Sequence, residues 1–333
     1  MSRIYEALQK AESERKSERG SRRSEENQQP ELPTSVDQVF EAAVAEYEIP
    51  TTQVDAEYRN DFATDPVGHS PYGSDVLNLD RIPRHVWTPV YSQLPALLER
   101  GPAVEQFRSL RSRIYELRDI RPLKSILISS GLPQEGKSFI ATNLAISLAR
   151  HKNSKVLLID GDMRRYTLHQ LLGCQPHPGL ADYLAGKAEI VEVMQRAAEV
   201  PTLDKQHPAI LPNLTFIAGG NGGDKAADLS GNPRFGELIR MASPYFDWII
   251  VDSSPVLPVS DAVNLARFCD GVLLVARGGV TKFPVAQRAQ SELKASNILG
   301  FVLNAVEKMP HVGGYYGYGY GGYGYGYDAD KKE

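Results

Sequence analysis

From about residue 101 onwards, short runs of consecutive apolar residues alternate with stretches in which apolar residues recur at helical spacing. Runs such as WIIVD at 248–252 and VLLVA at 272–276 lack the alternation of a strand with one solvent-facing side. They are typical of strands that are buried on both faces, as in a parallel sheet covered by helices. The pattern therefore predicts an α/β fold with a doubly wound, mostly parallel sheet.

The boundaries of the elements follow from where each pattern begins and ends. Six strands are predicted, at 125–129, 155–160, 214–218, 248–252, 272–276 and 298–306. Helices are predicted between them at 139–150, 232–242, 260–268 and 284–296, and a further helix precedes the first strand at 103–118.

Composition separates the chain into three regions. Residues 1–100 are polar, rich in Ser, Glu and Arg at the start, and contain prolines at 30, 33, 50, 66, 71, 83, 89 and 95. Because this region has too little apolar content to fold alone, we expect it to be mostly disordered, with short helical patches at 4–11 and 36–47. We expect the folded domain to span 101–310 and to be followed by a flexible tail at 311–333.

Charge and cysteine content limit the classes of function. The formal net charge of -4 argues against a strongly basic surface, so no nucleic-acid partner is expected. Cys174 and Cys269 make no disulfide framework, which fits a reducing cytoplasm. No signal peptide is recognised, and no apolar run approaches the roughly 20 residues that cross a bilayer. We therefore expect a cytoplasmic protein that reaches a membrane only through a partner or a surface contact.

A phosphate-binding loop is predicted at 131–138. The sequence GLPQEGKS fits G-x-x-x-x-G-K-[ST], follows the strand SILIS and opens the helix FIATNLAISLAR. In such a loop the glycines let backbone N–H groups close on phosphate oxygens. Lys137 would contact the β- and γ-phosphates and the Ser138 hydroxyl would contact Mg²⁺. The alternative, a chance glycine turn with a surface lysine, is disfavoured by the flanking strand and helix, so the fold is expected to be of the P-loop NTPase type.

Acidic residues follow two of the predicted strands. Asp160 and Asp162 end the strand in VLLIDGDMRR, and residues two apart on a strand point to the same side. Both carboxylates therefore leave the carboxyl end of the sheet, where ligands of open α/β folds bind. One can hold Mg²⁺ through water, and the other can accept a proton from an attacking hydroxyl. Arg164 is placed to meet a phosphate or an acidic neighbour.

Three further polar positions lie at the ends of predicted elements. Asp252 closes the strand in FDWIIVD, and in P-loop proteins such an aspartate holds the Mg²⁺ shell. Asp261 follows in SPVLPVSDA and is interpreted as a helix cap before AVNLARF. Asn304 follows the strand GFVLN and is a candidate to hydrogen-bond adenine, although a strand-end turn residue is an equal alternative.

Glu105, Arg108 and Arg111 form E-x-x-R-x-x-R in the helix at 103–118. Their spacing by three predicts one stripe along that helix. The stripe fits a contact between subunits, in which arginines bind carboxylates of a neighbour, or a solvated charged face. The residues alone favour the solvated face.

The fifteen residues from 313 to 327 are glycine and tyrosine only. The seven tyrosines are Tyr315, Tyr316, Tyr318, Tyr320, Tyr323, Tyr325 and Tyr327. Half of this stretch is glycine and its aromatic residues follow no helical or strand period, so we expect the phenol hydroxyls to be exposed to solvent. Together with a nucleotide site, the tail suggests a protein that phosphorylates itself. The alternative is an unmodified, sticky low-complexity terminus.

Taken together, these motifs resemble the bacterial tyrosine kinases of capsular and exopolysaccharide export. The resemblance covers about residues 101–327 and rests on SSGLPQEGKS, VLLIDGDMRR, FDWIIVDS, EQFRSLR, the tyrosine cluster and GLADYLAG at 179–186. It implies a P-loop tyrosine kinase domain at 101–310 and an autophosphorylation tail at 311–333.

The resemblance implies ATP and Mg²⁺ as cofactors. It implies nucleotide contacts from Gly131, Glu135, Gly136, Lys137, Ser138, Phe139, Arg164 and Asn304. Ser138, Asp162 and Asp252 would hold the metal, and Lys137, Asp160 and Asp162 would be catalytic, with Asp160 as the base for the tyrosine hydroxyl.

The resemblance also implies partners. Members form homo-oligomeric rings through a motif like that at Glu105, Arg108 and Arg111, and phosphorylate one another's tail tyrosines. Because this sequence has no membrane-spanning segment, it resembles the stand-alone type, which is recruited to the inner face of the membrane by a transmembrane chain-length regulator that activates it. A cognate tyrosine phosphatase and a role in polysaccharide polymerisation and export are also implied.

Two other classes of protein compete with the kinase interpretation. Positioning ATPases of the septum and plasmid-partitioning type share the expected sheet, but usually carry an extra lysine at the start of the phosphate loop. Ser129 and Ser130 occupy those positions here. A non-catalytic ring scaffold that binds nucleotide is the third class, and only a phosphate-transfer assay separates it from a kinase.

Overall fold

The computed structural model describes residues 77–151, 154–198, 211 and 213–306. The predicted helical patches at 4–11 and 36–47 and the tyrosine tail lie outside the described residues.

One eight-stranded sheet forms the centre of the described chain. Its strands are β1 (Arg84–His85), β2 (Ser125–Ser130), β3 (Val156–Asp160), β4 (Met194–Ala197), β5 (Leu214–Ile217), β6 (Trp248–Asp252), β7 (Gly271–Arg277) and β8 (Ile298–Asn304). They lie in the order β1-β4-β5-β3-β6-β2-β7-β8, and every neighbouring pair is parallel except β4 with β5.

Helices cover both faces of this sheet. They are α1 (Pro102–Ile120), α2 (Lys137–Ala149), α3 (Leu168–Leu172), α4 (Leu180–Leu184), α5 (Ile190–Val193), α6 (Ala226–Ser230), α7 (Arg234–Ala242), α8 (Asp261–Ala266) and α9 (Phe283–Glu292). Successive residues of a strand enter opposite cores: Ile249 and Val251 of β6 pack in one cluster, and Trp248 and Ile250 pack in the other. The doubly wound, mostly parallel sheet expected from the continuous apolar runs is confirmed.

The sequence pattern missed β1 and β4 at the sheet edge. β4 reads Met-Gln-Arg-Ala and β1 contains two polar residues, so neither presents the apolar run or the alternation that marks a strand. Both form because β5 offers a free edge, to which β4 adds in antiparallel orientation and β1 then adds beside β4. Their existence depends on tertiary context, which a local pattern does not contain.

The fold begins earlier than the boundary at residue 100 that composition predicted. Residues 77–100 lie on the sheet and on α2, with Trp87 and Leu94 buried. The Ala96 N–H donates to Asn143 Oδ1 at 3.0 Å, and Arg150 Nη1 donates to the Ala96 carbonyl at 2.6 Å. The boundary came out too late because residues 1–100 were judged as one polar region, whereas 11 of the 24 residues at 77–100 are apolar and several of them join the core.

Neither cysteine of the described chain is in a disulfide. Within the described ranges, we find no helix with the length and apolar character that crossing a bilayer requires.

Candidate active site

The phosphate-loop sequence lies between β2 and α2 at the carboxyl end of the sheet. β2 ends at Ser130 and α2 begins at Lys137. Gly136 adopts a left-handed conformation with φ of 95°, and the space beside its Cα is filled by the Asn304 side-chain amide. A glycine is therefore required at this position for two reasons. The backbone of any residue with a Cβ would be strained at this φ, and the Cβ would collide with the Asn304 side chain.

Two neighbouring strands bring the acidic residues to this loop. Asp160 of β3 is in register with Asp252 of β6, and Asp162 lies two residues after the end of β3. All three carboxylates are buried. Lys137 Nζ lies 3.2 Å from Asp162 Oδ2 and also donates to Ser138 Oγ at 3.2 Å. The structure thus brings together residues that the sequence placed in three separate motifs.

The electrostatics of this acidic cluster are dominated by burial. Burial raises the pKa of Asp160 well above its usual range, and repulsion by Asp252 and Asp162 raises this pKa further, while Lys137 opposes the shift. Burial also raises the pKa of Asp252 to about 6, against the lowering effects of Lys137 and the Ser138 hydroxyl. A cluster with this excess of negative charge favours binding of a cation.

Two oxygens of the cluster suit a magnesium ion. Asp162 Oδ2 and Asp252 Oδ1 are buried and accept no hydrogen bond from the described residues, although Lys137 forms an ion pair with Asp162 Oδ2. Mg²⁺ prefers hard carboxylate oxygens and usually takes one or two of them, together with waters and substrate phosphates. In the described part of the chain, no group of three or more His, Cys, Asp or Glu side chains is arranged to hold a metal ion.

Asp160 is held in a different way from the other two aspartates. Its Oδ1 accepts the Asp162 N–H at 3.2 Å and its Oδ2 accepts the Leu168 N–H at 3.1 Å. The turn between Asp160 and Asp162 is tight, because a Cβ on Gly161 would lie 2.6 Å from the Asp252 carbonyl oxygen. Each carboxylate oxygen has two lone pairs, so these bonds fix the group and leave it able to accept a proton.

Arg164 pairs with an acidic neighbour. Its Nε lies 2.7 Å from Asp261 Oδ2, and its Nη2 lies 3.4 Å from Asp261 Oδ1. Of the two partners that the sequence left open for Arg164, the structure shows the carboxylate. Asp261, which was interpreted as a helix cap, is instead the first residue of α8, with Ser260 at the cap position, and its carboxylate is bound by Arg164.

Glu135 and Asn304, which were expected to contact nucleotide, brace the loop with their side chains. Asn304 Nδ2 donates to the Glu135 carbonyl at 3.0 Å. The Glu135 carboxylate accepts the Leu132 N–H at 2.8 Å and a short hydrogen bond from the Thr281 hydroxyl. Thr281 is a residue that sequence reasoning missed, because it lies 146 positions away in a loop without a motif.

The side chain of Phe139, a further expected nucleotide contact, is partly buried and packs against the core. Its ring lies 5.6 Å from the Phe107 ring of α1, measured between centroids.

Replacing Glu135 with glutamine is expected to change the pH dependence of stability. Burial raises the pKa of Glu135 to about 7 from an ordinary 4.5, against hydrogen bonds from the Leu132 N–H and the Thr281 hydroxyl that lower it. The folded state therefore holds this proton more tightly than the unfolded state, and wild-type stability falls as pH rises from about 4.5 to about 7. Glutamine stays neutral at every pH. The free energy of unfolding of the variant should therefore rise relative to that of the wild type as the pH rises, by up to about 3 kcal/mol.

Urea denaturation of both proteins at pH 5 and pH 8 measures this difference. Glu292→Gln, at an exposed position of α9, is the matched control and should show the same small difference at both pH values. If Glu135→Gln changed the free energy of unfolding equally at pH 5 and pH 8, the pKa of Glu135 would not be raised by folding.

The three residues of the predicted helix stripe differ in their surroundings. Arg108 Nη1 lies 2.6 Å from Glu105 Oε1, and both side chains are exposed. Arg111 instead turns towards α2, where its Nη1 donates to the Ser147 carbonyl at 3.0 Å and burial lowers its pKa. The prediction of one stripe is wrong for Arg111, because each step of three residues rotates the position by about 60° around the helix.

Comparisons with known proteins give one consistent group of relatives. The sequence is 32% identical over 216 residues to the tyrosine-protein kinase YwqD of Bacillus subtilis, a match that covers 65% of this chain and 86% of YwqD. It is 34% identical over 237 residues to the tyrosine-protein kinase wzc of Salmonella typhimurium, covering 68% of this chain and 31% of wzc. The chain thus spans less than a third of wzc and most of YwqD. No protein-family model matches the sequence.

Solved structures give the same result for the fold. The kinase domain of the Escherichia coli tyrosine kinase ETK superposes with a TM-score of 0.58 at 30% identity, covering 68% of this chain and 85% of that domain. The BceF tyrosine kinase domain superposes with a TM-score of 0.53 at 28% identity, covering 64% of this chain and 82% of that domain.

Proposed function

The chain belongs to the family of bacterial tyrosine-protein kinases, and on that premise we propose that it transfers the γ-phosphoryl group of ATP to tyrosines of its own C-terminal cluster. The proposal rests mainly on the ion pair between Lys137, at the end of the phosphate-loop sequence, and the buried carboxylate of Asp162. The carboxylate of Asp252 is buried at the same end of the sheet. The same sequence supplies seven tyrosines in a glycine-rich tail as acceptors.

The phosphate loop positions the nucleotide. Backbone N–H groups of Gly131 to Ser138 would surround the phosphates, and Lys137 would bind the β- and γ-phosphate oxygens. A Mg²⁺ ion held by the Ser138 hydroxyl, Asp162 and Asp252 would neutralise charge on the transferring group. Lys137, which forms an ion pair with Asp162 in this structure, would bind the phosphates once Asp162 holds the ion. Phosphoryl transfer needs mainly this kind of positioning and charge neutralisation.

Asp160 is the group that we assign as the base. The acceptor phenol loses its proton to Asp160 as its oxygen forms a bond to the γ-phosphorus, and the bond from that phosphorus to the β-phosphate oxygen breaks to release ADP. A phenol with a pKa near 10 gains from a nearby proton acceptor as it attacks.

Assembly and partners extend this proposal. We infer a homo-oligomeric ring in which the exposed Glu105 and Arg108 contact a neighbour, while Arg111 joins α1 to α2 within the chain. A transmembrane chain-length regulator would recruit and activate the kinase at the inner face of the membrane, and a cognate tyrosine phosphatase would reverse the modification. The process served would be polymerisation and export of a polysaccharide.

Replacing all seven tail tyrosines with phenylalanine tests the proposed function. Phenylalanine keeps the ring and removes the nucleophile, so the variant should bind ATP-Mg²⁺ and take up no phosphate, whereas the wild type should show a ladder of added phosphates. Intact mass spectrometry with peptide mapping measures both. Tyr245→Phe, a half-buried position after α7, is the matched control and should retain the full ladder. Nucleotide hydrolysis without phosphate uptake by the wild type would instead support the positioning-ATPase alternative.

A further inference from the structure

A serine hydroxyl beside the acidic site has no hydrogen-bond partner among the described residues. Ser254 follows β6, two residues after Asp252, and its side chain is fully buried. A buried hydroxyl without a partner costs free energy, and folded proteins contain few such groups. The mechanism described above gives Ser254 no role, so its retention in the core requires an explanation.

The hydroxyls of two neighbouring serines are bound within the fold. Ser253 Oγ donates to the Ile128 carbonyl at 3.0 Å, and Ser129 Oγ donates to the Ser254 carbonyl at 2.8 Å. The backbone oxygen of Ser254 is therefore occupied, whereas its own hydroxyl is left for a partner from outside the described chain.

The segment that contains Ser254 runs beside the start of the phosphate loop. The Val256 N–H donates to the Ser130 carbonyl at 2.8 Å, and the Leu257 N–H donates to the Gly131 carbonyl at 3.2 Å. These bonds continue the pairing of β6 with β2 past the end of both strands. They place Ser254 next to the loop that would hold the phosphates of a nucleotide.

The order of the strands indicates which phosphate lies near Ser254. β6 lies between β3 and β2 in the sheet. Neighbouring strands are about 4.8 Å apart, so the carboxyl end of β6 is midway along the roughly 10 Å from the phosphate loop after β2 to Asp160 at the end of β3. The Asp252 carbonyl accepts the Gly161 N–H at 2.8 Å, which joins the ends of β6 and β3. In a transfer from ATP to an acceptor at Asp160, the γ-phosphoryl group occupies this middle position.

We propose that the Ser254 hydroxyl donates a hydrogen bond to a γ-phosphate oxygen of bound ATP, and that this bond helps the site to distinguish ATP from ADP. The proposal rests on the proposed function and adds a ligand of the transferring group. The phosphate loop and Lys137 bind the phosphates from the side of β2, and Ser254 binds the γ-phosphate from the side of β6.

The charges around Ser254 favour a phosphate oxygen as the partner. The γ-phosphate brings negative charge close to the buried carboxylates of Asp160, Asp162 and Asp252, so it needs hydrogen-bond donors as well as the metal ion. Hydrogen bonds to ionised oxygens are stronger than those between neutral groups. A hydroxyl supplies such a bond without adding a further charge to the site.

Ser254→Ala tests the proposal through the binding of two nucleotides. The full-length protein with phenylalanine at the seven tail positions is used, together with an ATP analogue that has an imido bridge between the β- and γ-phosphates, so that no transfer occurs. Isothermal titration calorimetry with Mg²⁺ measures the affinities. Ser254→Ala should weaken binding of the imido analogue about ten- to a hundredfold, as expected for one hydrogen bond to a charged group, and change ADP binding by less than about twofold.

Stability without nucleotide gives a second measurement. Removing a hydroxyl that has no partner in the fold should leave the urea midpoint of Ser254→Ala at or above that of the wild type. Thr215→Val is the matched control, because Thr215 on β5 is also fully buried and its Oγ1 also has no hydrogen-bond partner among the described residues. This variant should keep or raise the urea midpoint too, and bind both nucleotides with wild-type affinity.

Equal losses of affinity for the imido analogue and for ADP, or no loss for either, would overturn the γ-phosphate contact. A lowered urea midpoint of Ser254→Ala with unaltered preference for the imido analogue over ADP would show that the hydroxyl has a structural partner instead. Both measurements are independent of phosphate transfer. A wild-type chain that binds both nucleotides and never phosphorylates its tail would therefore refute the proposed function, and not the contact between Ser254 and the γ-phosphate.

Discussion

Replacement of Lys137 by methionine is expected to lower the rate of phosphate uptake by the tail by at least about a hundredfold and to leave the fold intact. Lys137 Nζ is the cation that faces Asp162 at 3.2 Å, and its side chain is only 14% exposed. Methionine has a similar length and no charge, so it fills the same volume at the start of α2. The lost interaction acts on the transferring phosphoryl group in a site shielded from water, where electrostatic stabilisation is strongest. Removing one such group typically lowers the rate by about 10²–10³.

The rate of phosphate uptake by intact mass measures this effect, with circular dichroism to confirm folding. Lys225→Met is a suitable control because Lys225 is exposed, lies after β5, and has no role in the phosphate loop. It should give the wild-type ladder. A ladder of similar rate and extent in Lys137→Met would show that the phosphate loop has been assigned to the wrong residues.

The residues of the acidic site were predictable because their signals are local and the sheet geometry is simple. The phosphate loop is a contiguous motif, and Asp160, Asp162 and Asp252 each follow a continuous apolar strand. In a parallel sheet such strand ends meet at one edge, so placing the strands also placed the carboxylates together. The order of β3, β6 and β2 completes the arrangement by setting both acidic strands beside the loop.

Side-chain partners were less predictable because they depend on contacts far apart in sequence. Glu135 was expected to contact nucleotide, yet its carboxylate binds the Thr281 hydroxyl from the segment before α9. Arg111 was expected on one stripe with Arg108, yet the packing of α1 on α2 turns it to Ser147. In both cases an equally good polar partner lies within the fold, and no local pattern specifies which partner is nearer.

The second large effect is expected from replacing Asp160 with asparagine. Asparagine keeps an oxygen that can accept one of the two backbone N–H groups that hold this side chain, those of Asp162 and Leu168. It cannot take the phenol proton. We expect the rate of phosphate transfer at saturating ATP and Mg²⁺ to fall by about 10²–10⁴, the usual contribution of a general base. The Mg²⁺ concentration that gives half of the maximal rate should stay close to that of the wild type.

Asp162→Asn should behave in the opposite way in the same titration. Its Oδ2 is one of the buried oxygens that accept no hydrogen bond from described residues and that we assign to Mg²⁺. Loss of that ligand should move the half-maximal Mg²⁺ concentration upwards, with a smaller loss of rate once Mg²⁺ is saturating. Asp228→Asn, at an exposed position of α6, controls for the loss of one negative charge and should alter neither quantity.

Together, the two aspartate variants separate proton transfer from metal binding. Either role can be played by a buried carboxylate, so position alone does not decide which aspartate has which role. Hydrogen bonding is what distinguishes them in this structure, since both oxygens of Asp160 are held by backbone N–H groups while Asp162 Oδ2 is left for a cation. If Asp160→Asn shifted the Mg²⁺ titration and regained its rate at high Mg²⁺, Asp160 would be a metal ligand. The proton of the phenol would then have to be taken by another group.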